Sequence, residues 1–560
     1  MLVLLVMVSG VSCLMGQEVS DEEEITVVAP YKPQVSEAYK INISPRIPDE
    51  QLVKPQFNYS IIEKEFKGDP VLEPISAARI QGESVSELYK NYIKAGIGNY
   101  ATPYLEFYAN KLRSRKSAFG VHLNHKSSSG KIKDYAYPGN SNSEISAYGK
   151  RFMPNHTLSS NVFYKRRGVH FYGFRPDDFP SFEFKNKDIR QVYNNLGLRV
   201  DLHSNYSSDR KLNHTIGFGY SYLADHYKAK ESNIQFDAGL DLKTEFFQFS
   251  DREKLGIDLE VDYYLTADSL LKHNSGIIRI APHYSFGFDQ YYFKVGMIAA
   301  IESDSVSKGH FYPVVRSEVK VVEDHLITYA GLYGGLEKNS LHSLSEENPF
   351  INATLEKRFT NNKISQYGGV KGRISKNFDY NISFINSTIR GIALFVNDTA
   401  SALGEGLNNQ FTVVYDDVKY TRLLAEFGYH YKERLKVLLH GQYNDYFLDN
   451  EDKAWHKPGL EVSLGVHYNM QNKIYANAEL FTRSKMYAKT YEYDVMTGEM
   501  EMKAEELKAM IDLNLGLEYR YSKVLSGFIN LNNLLGQRYY RWYNYPSYRF
   551  NLLLGVTYSF

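Results

Sequence analysis

The sequence predicts an all-β protein: a closed transmembrane antiparallel β-barrel of about 22 strands, with a short N-terminal tether and no globular plug domain. Three observations carry the prediction: the pattern of the last strand, the repetition of that pattern from residue 92 onward, and the sorting of short and long connections. In the C-terminal stretch Ser547–Phe560, every second residue is apolar or aromatic: Phe550, Leu552, Leu554, Val556, Tyr558 and Phe560. The interleaved set, Arg549, Asn551, Leu553, Gly555, Thr557 and Ser559, is mostly small or polar. A strand sends alternate side chains to opposite faces, so one face here suits hydrocarbon and the other water. A half-buried strand of a soluble sandwich has the same period, so the rest of the chain must decide.

Long alternating segments follow one another from Tyr92 to the C-terminus. In the hairpin Leu423–Tyr443, Leu423, Ala425, Phe427, Tyr429 and Tyr431 share one face. A tight turn at Lys432–Arg434 leads to a return strand with Leu435, Val437, Leu439 and Tyr443 outward. Lys436, His440, Gln442 and Asn444 then point inward. The scheme recurs at Leu460–Tyr468 into Ile474–Leu480, turning at Met470–Lys473. It recurs again at Ala509–Tyr521, turning at Ser522–Lys523. The opposite strand ends meet longer polar segments at 126–142, 167–188, 338–363, 485–506 and 533–546. Tight turns on one side and long loops on the other are the asymmetry of an outer-membrane barrel, with turns periplasmic and loops outside. The strand count falls between 22 and 24, and even numbers are the rule. The segment 338–397 is the ambiguous one, because Asn348–Thr360 reads equally as helix, loop or strand.

Composition agrees. There is no run of the roughly 18 apolar residues that a helical span needs. Overall hydropathy resembles that of a soluble protein, as a half-polar wall allows. Aromatic residues are 14% of the chain, with 47 tyrosines, enough for girdles at both membrane interfaces. The 65 basic and 65 acidic residues cancel, which gives no footing for nucleic acid.

Residues 1–16 read as a signal peptide, with the apolar core Leu2–Met15 and cleavage after Gly16. Lipoprotein processing at Cys13, the single cysteine, is the alternative. Residues 17–30 are an acidic tail, with Asp21–Glu24 running into Ile25-Thr-Val-Val-Ala-Pro30. Residues 31–91 are a proline-rich tether: the stretch 30–74 holds prolines 30, 33, 45, 48, 55, 70 and 74, which favours extended, solvated chain. Ser76–Tyr89 has room for a turn of helix. Residues 92–560 are the barrel.

Two segments resemble the TonB-dependent outer-membrane receptors. The stretch Asn533–Pro546, an Asn-Leu-Leu segment with an aromatic loop before a strand ending in Phe560, is similar to that family's C-terminus. Glu24, Ile25, Thr26, Val27, Val28, Ala29 and Pro30 resemble its TonB box. The family carries a plug of well over a hundred residues between box and barrel. Here only residues 31–91 are available, so the chain looks like a plugless variant of the kind found in Bacteroidota. Three Asp-Ser/Thr-aliphatic triplets, Asp268–Leu270, Asp304–Val306 and Asp398–Ala400, resemble that phylum's O-glycosylation sequence, although triplets this short also arise by chance. The alternating set Phe550, Leu552, Leu554, Val556, Tyr558 and Phe560 resembles the signal by which the barrel-assembly machinery recognises its precursors.

No catalytic signature is present: no metal-binding His-Glu-x-x-His, nucleophile elbow or phosphate loop. The sequence therefore reads as a non-enzyme with no cofactor. His430, His440 and His467 are predicted on the lumen side of neighbouring strands, where polar lining is favoured over a metal site. The predicted lumen set Glu426, His430, Lys436, His440, Glu461, His467, Asp512, Asn514, Glu518 and Arg520 mixes both signs. Such a mixture suits a lumen filled by paired side chains or a polar partner rather than an ion-selective pore. The resemblance implies an integral outer-membrane transporter or receptor, in contact with lipid, with a periplasmic TonB-type partner on the box. The alternatives are a surface-binding scaffold and a passive channel. A plugless barrel must be closed: the tether and the inward-folding loops 126–142, 167–188, 338–363 and 485–506 are expected to narrow the lumen and a separate partner protein to complete the seal, and deleting residues 31–90 is expected to raise conductance.

Overall fold

The structure is a computed structural model that describes residues 89–560 except 112–113, 181–182, 184, 207–211, 245–251, 399–406 and 494–499. The signal peptide, the box at Glu24–Pro30, nearly all of the tether and Cys13 lie outside the described residues.

The chain meanders around a closed sheet of 22 strands, each paired antiparallel with the next. The strands begin with β1 (Asn91–Gly98), β2 (Thr102–Lys111), β3 (Ser117–Ser128), β4 (Asn140–Phe152), β5 (His156–His170) and β6 (Arg190–Ser204). Next come β7 (Leu212–Ala224), β8 (Lys230–Lys243), β9 (Lys254–Ala267), β10 (Lys272–Phe288), β11 (Tyr291–Ser303), β12 (Lys308–Val322) and β13 (Leu326–Lys338). A short helix, α1 (Leu341–Glu347), precedes β14 (Phe359–Ser375), β15 (Phe378–Asn397), β16 (Phe411–Tyr431), β17 (Leu435–Leu448), β18 (Leu460–Met470) and β19 (Ile474–Arg483). A small ribbon of β20 (Met486–Tyr493) and β21 (Met500–Leu507) stands apart from the barrel sheet. The wall resumes with β22 (Met510–Arg520) and β23 (Leu525–Asn532). A second ribbon, β24 (Tyr540–Trp542) with β25 (Tyr545–Pro546), leads to the last strand, β26 (Asn551–Ser559).

The ring closes between β26 and β1, with Ala95 opposite Val556. Asn91 and Phe560 exchange both backbone hydrogen bonds, at 2.9 and 3.0 Å, so the sheet has no free edge at the seam. Leu554, Val556, Tyr558 and Phe560 are exposed on the outside, while Leu553, Thr557 and Ser559 are buried, as the alternation predicts. Gly96 lets the Phe528 ring lie against the seam: a Cβ there would sit 3.0 Å from the ring. The buried Lys94 ammonium rests 4.4 Å from the centre of that ring.

The same pattern runs round the barrel. Ile216, Phe218 and Tyr220 on β7, Leu240 and Leu242 on β8, and Ile278 and Ile280 on β10 are exposed, forming an apolar outer band. Charged pairs line the inner wall, within a strand and between strands one or two places apart. Arg199 bridges Asp201 and Asp237 at 2.7 and 2.6 Å, Arg279 meets Asp262 at 2.7 Å, and Lys371 meets Glu318 at 3.1 Å. Pairing of this kind offsets the cost of placing charge on a partly dry wall.

The predicted tight turns fall where expected, at 432–434, 471–473 and 521–524. At the first, Lys432 takes φ +51°, and at the second Gln471 and Asn472 take +53° and +58°. The Asn469 side chain supports that turn by accepting the Asn472 N–H at 2.8 Å. The opposite end is more mixed than the sequence suggests. Long connections occur at 129–139, 171–189, 339–358, 484–509 and 533–550, and also at 398–410 and 449–459, two that the sequence reading missed. Other connections at that end are short: 99–101, 225–229, 268–271 and 304–307. In the ambiguous region, residues 348–358 are loop, and the wall resumes at Phe359.

Candidate functional site: a loop lid across the barrel mouth

The site begins with an uninterrupted apolar run, Ile392-Ala-Leu-Phe-Val396. A wall strand with lipid on one side and water on the other alternates. A run without alternation is buried on both faces. In the structure all five residues are buried, where β15 and β16 continue as a two-stranded ribbon beyond the wall. The ribbon leaves the wall at a β-bulge between Ile389 and Ile392, where Gly391 takes φ +67°, a conformation costly for any residue with a Cβ. The Gly391 N–H is held by Asp417 Oδ1 at 2.9 Å.

Each face of the ribbon carries a separate apolar layer. On one face Ile392, Leu394 and Val396 pack with Trp455 from the 449–459 loop. On the other, Ala393 and Phe395 join a core made of Leu341, Leu344, Ile351, Ala353 and Leu355 from the 339–358 loop, Trp542 and Tyr545 from the last loop, and Tyr193 and Leu223 from β6 and β7. On a ring of 22 strands, β6–β7, β13–β16 and the β23–β26 corner are far apart. One contiguous core can join them only by spanning the mouth, so the loops form a lid with a hydrophobic core of its own.

Hydrogen bonds cross the mouth with it. Tyr193 donates to the Pro349 carbonyl at 3.1 Å, and Tyr172 to the Pro546 carbonyl at 3.0 Å. Asn409 Nδ2 donates to the Phe171 carbonyl at 3.0 Å. The Glu231 carboxylate, from β8, accepts the Leu341 and His342 N–H groups at 2.7 and 3.1 Å, satisfying two donors at the start of α1. Tyr545 stacks on Phe350 with ring centres 3.7 Å apart, and Trp542 meets Phe395 edge-on at 5.2 Å.

His456 ties the 449–459 loop to the rest. Its Nδ1 donates to the Phe395 carbonyl at 3.0 Å, and its Nε2 accepts the Tyr543 N–H at 3.3 Å. That pair of roles requires the neutral ring. Burial, reinforced by Lys457, pushes its pKa down to about 3. Asp416 holds the same loop, accepting the N–H groups of Asn450 at 2.9 Å and Glu451 at 2.7 Å.

Beneath the lid, where it meets the wall of β16–β19, lies a small polar cavity of about 50 Å³. Lys457 donates to Glu347 at 2.6 Å and Arg483 to Glu461 at 2.7 Å. Arg541 also lines it, and burial, followed by the nearby Arg483 guanidinium, lowers its pKa to about 10.

Of the predicted terminal set, Leu552, Leu554, Val556 and Tyr558 alternate along one face of β26 at the closing seam, while Phe550 precedes the strand and Phe560 follows it; none of the six belongs to the lid core. The three histidines do not converge: His430 pairs with Asp379 at 3.2 Å, His440 with Glu426 at 3.2 Å, and His467 stands opposite Lys436 and Asn477. Among the described residues, no group of three or more His, Cys, Asp or Glu side chains is placed to hold a metal ion. Other members of the predicted lumen set are engaged locally. Glu426 accepts from Asn381 at 2.9 Å, Asn514 reaches Glu479 at 3.5 Å, and Arg520 lies 4.7 Å from the centre of the Tyr475 ring. Of the glycosylation-like triplets, Asp268 is occupied within its own turn, accepting the N–H groups of Leu270 and Leu271.

No known protein family's sequence profile matches the chain, and no curated protein matches it by sequence. Solved structures do match in fold. The chain resembles the pyoverdine outer-membrane receptor FpvA of Pseudomonas aeruginosa, with a TM-score of 0.63, 11% identity, and 85% of this chain against 79% of that one. It is similar to the FrpB iron transporter of Neisseria meningitidis, with a TM-score of 0.63, 10% identity, and 85% against 82%. The siderophore receptor PirA of Acinetobacter baumannii gives a TM-score of 0.62 at 9% identity, with 85% against 81%. At such identities the likeness is one of fold: a large closed antiparallel β-barrel.

Proposed function

We propose that the chain is an integral outer-membrane, TonB-linked transporter or receptor barrel of the plugless kind, with the lid extracellular and the N-terminus periplasmic. The observation that carries this reading is the lid. A barrel this wide breaches the membrane unless something closes it, and here the loops span the mouth with their own packed core. A closed gate needs an energy input to open. The box Glu24–Pro30 supplies the attachment: its β-branched residues favour extended chain, which adds as a strand to a periplasmic energy-transducing protein. The fold likeness to siderophore receptors and an iron transporter supports the same class. The reading assigns no catalysis and no cofactor, and it places insertion with the barrel-assembly machinery acting on the terminal strand.

A second reading, a surface-binding scaffold, is favoured by the same packed lid if the lid never opens. The two separate on the box. A peptide spanning Glu22–Tyr31 is expected to bind a TonB-type C-terminal domain, and Val27→Pro to abolish binding by removing a ladder donor. Absence of binding and of crosslinking in cells moves the protein to the scaffold class.

A further inference from the structure

The outer face of the wall is not evenly filled. Near the tight turns of β15–β18 it holds an open groove of about 420 Å³, lined by Phe378 of β15, Phe427 and Tyr429 of β16, Val437 and Leu439 of β17, and Leu464 of β18. The register sets these side chains in two rows. Phe378 stands opposite Tyr429 and Tyr429 opposite Val437, while Phe427 stands opposite Leu439 and Leu439 opposite Leu464. All six share the outward face with the exposed Phe384, Leu423, Tyr443 and Tyr468 of the same strands. The groove presents only apolar surface, so hydrocarbon is what fills it in a bilayer. A methylene takes about the room of a water molecule, roughly 30 Å³, which leaves space for about a dozen carbons of one acyl chain.

The turns beside the groove are cationic. Those at 376–377, 432–434 and 471–473 carry Lys376, Lys432, Arg434 and Lys473, all exposed, against one carboxylate, Glu433. At the same end of the barrel, the turns at 289–290 and 323–325 carry Asp289, Glu323 and Asp324 and no Lys or Arg. Lys376 precedes Phe378 by two residues, Lys432 follows Tyr429 by three, and Arg434 precedes Val437 by three. The Lys432 ammonium lies 5.6 Å from the centre of the Tyr431 ring, which is itself exposed on the outer face, so this charge stands on the lipid side of the rim.

We propose that the groove is a binding site for an anionic phospholipid, with one acyl chain along the two apolar rows and the phosphate head group on Lys432 and Arg434. Every part of a barrel wall touches lipid. The recess together with the positive charge beside it is what makes this part selective, since basic side chains at a membrane surface attract anionic head groups. The choice of leaflet, the periplasmic one, rests on the transporter reading, and the binding itself does not.

Native mass spectrometry of the detergent-purified chain tests this, with phosphatidylglycerol or phosphatidylethanolamine of identical acyl chains added in turn. The first phosphatidylglycerol is expected to bind about tenfold more tightly than the first phosphatidylethanolamine. The pair Lys432→Gln and Arg434→Gln should lower phosphatidylglycerol affinity about tenfold and abolish the preference. Leu439→Trp, which fills the groove, should remove the first bound lipid of either kind. The pair Arg115→Gln and Lys116→Gln, on the turn between β2 and β3, should leave lipid binding unchanged. The heat-dependent gel mobility of each variant verifies that the barrel is folded. Equal affinity for the two lipids overturns the proposal, as does unchanged phosphatidylglycerol binding in the Lys432/Arg434 variant or in Leu439→Trp. A second copy of the chain or another protein held by the native chain and lost from Leu439→Trp, with no lipid bound, also overturns it and assigns the groove to that partner. The measurement contains no TonB-type protein, so a failed box experiment leaves its outcome intact, and a failed lipid measurement leaves the box experiment intact.

Discussion

Removing one ring from the centre of the lid should open it without dismantling the barrel. Phe395 is fully buried, meets Trp542 edge-on at 5.2 Å, and supplies the carbonyl that His456 binds. Phe395→Ala leaves the carbonyl in place and empties the space of a phenyl ring. Truncation of a buried Phe costs about 3–5 kcal/mol, the spread reflecting how far the surroundings collapse. At about 1.4 kcal/mol per tenfold, the open lid gains about two to three and a half orders of magnitude in population. The wall should lose little, because its strands are held by ladders that Phe395 does not join below the bulge at Gly391. In the assay, tryptophan emission follows the lid while heat-dependent gel mobility follows the barrel. The expected result is red-shifted emission from Trp455 and Trp542 at unchanged barrel mobility. If emission stays put, or if barrel and lid fail together, the lid is not a separately packed unit and the reasoning is wrong.

Acid should loosen the lid through His456. Its folded pKa, about 3, lies below the ordinary value of 6.5, so the latch is intact above 6.5 and weakens as pH falls toward 3. Between pH 7 and pH 5 the loss is about 2 kcal/mol, read as a shift in lid opening by tryptophan emission, and His456→Gln should flatten the slope in that window. Leu554→Arg, on the lipid face, should cost about 2–4 kcal/mol in unfolding from lipid vesicles if it lies near the midplane, and spin labels at 552, 554 and 556 should avoid water. Water contact at those positions with none at 553 and 555 would invert the register. Deleting Phe560 removes the backbone pair with Asn91 and should lower the amount of inserted barrel, whereas unchanged insertion would make it only an interfacial aromatic.

The wall was legible because its code is local. Alternation in Phe550–Phe560 gave the face, and the turns at 432–434 and 471–473 gave the register of their hairpins. Closure followed from the rule that a barrel in lipid has no edge. The lid was not legible as a unit, because its contacts join residues such as Tyr193 and Pro349, or Tyr545 and Asn409, across long sequence separations. One local signal existed. The run Ile392–Val396 breaks the alternation of its neighbours, and read alone it marks a strand covered on both sides. The aromatic content also had a second destination: Phe350, Trp542 and Tyr545 belong to the lid core rather than to interfacial girdles. The aromatic last loop, noted for its resemblance to a receptor family, is in this chain a structural part of the closure.

The claim that the loops themselves close the barrel is tested most directly by conductance in planar bilayers. From sequence alone, deleting residues 31–90 was expected to raise conductance. With the lid in place, both the full chain and the deletion protein should be silent, and Phe395→Ala in the deletion background should produce steps of the size expected for a wide pore. Open-channel steps from the deletion protein with its lid sequence intact would contradict the account and return the seal to the tether or to a partner.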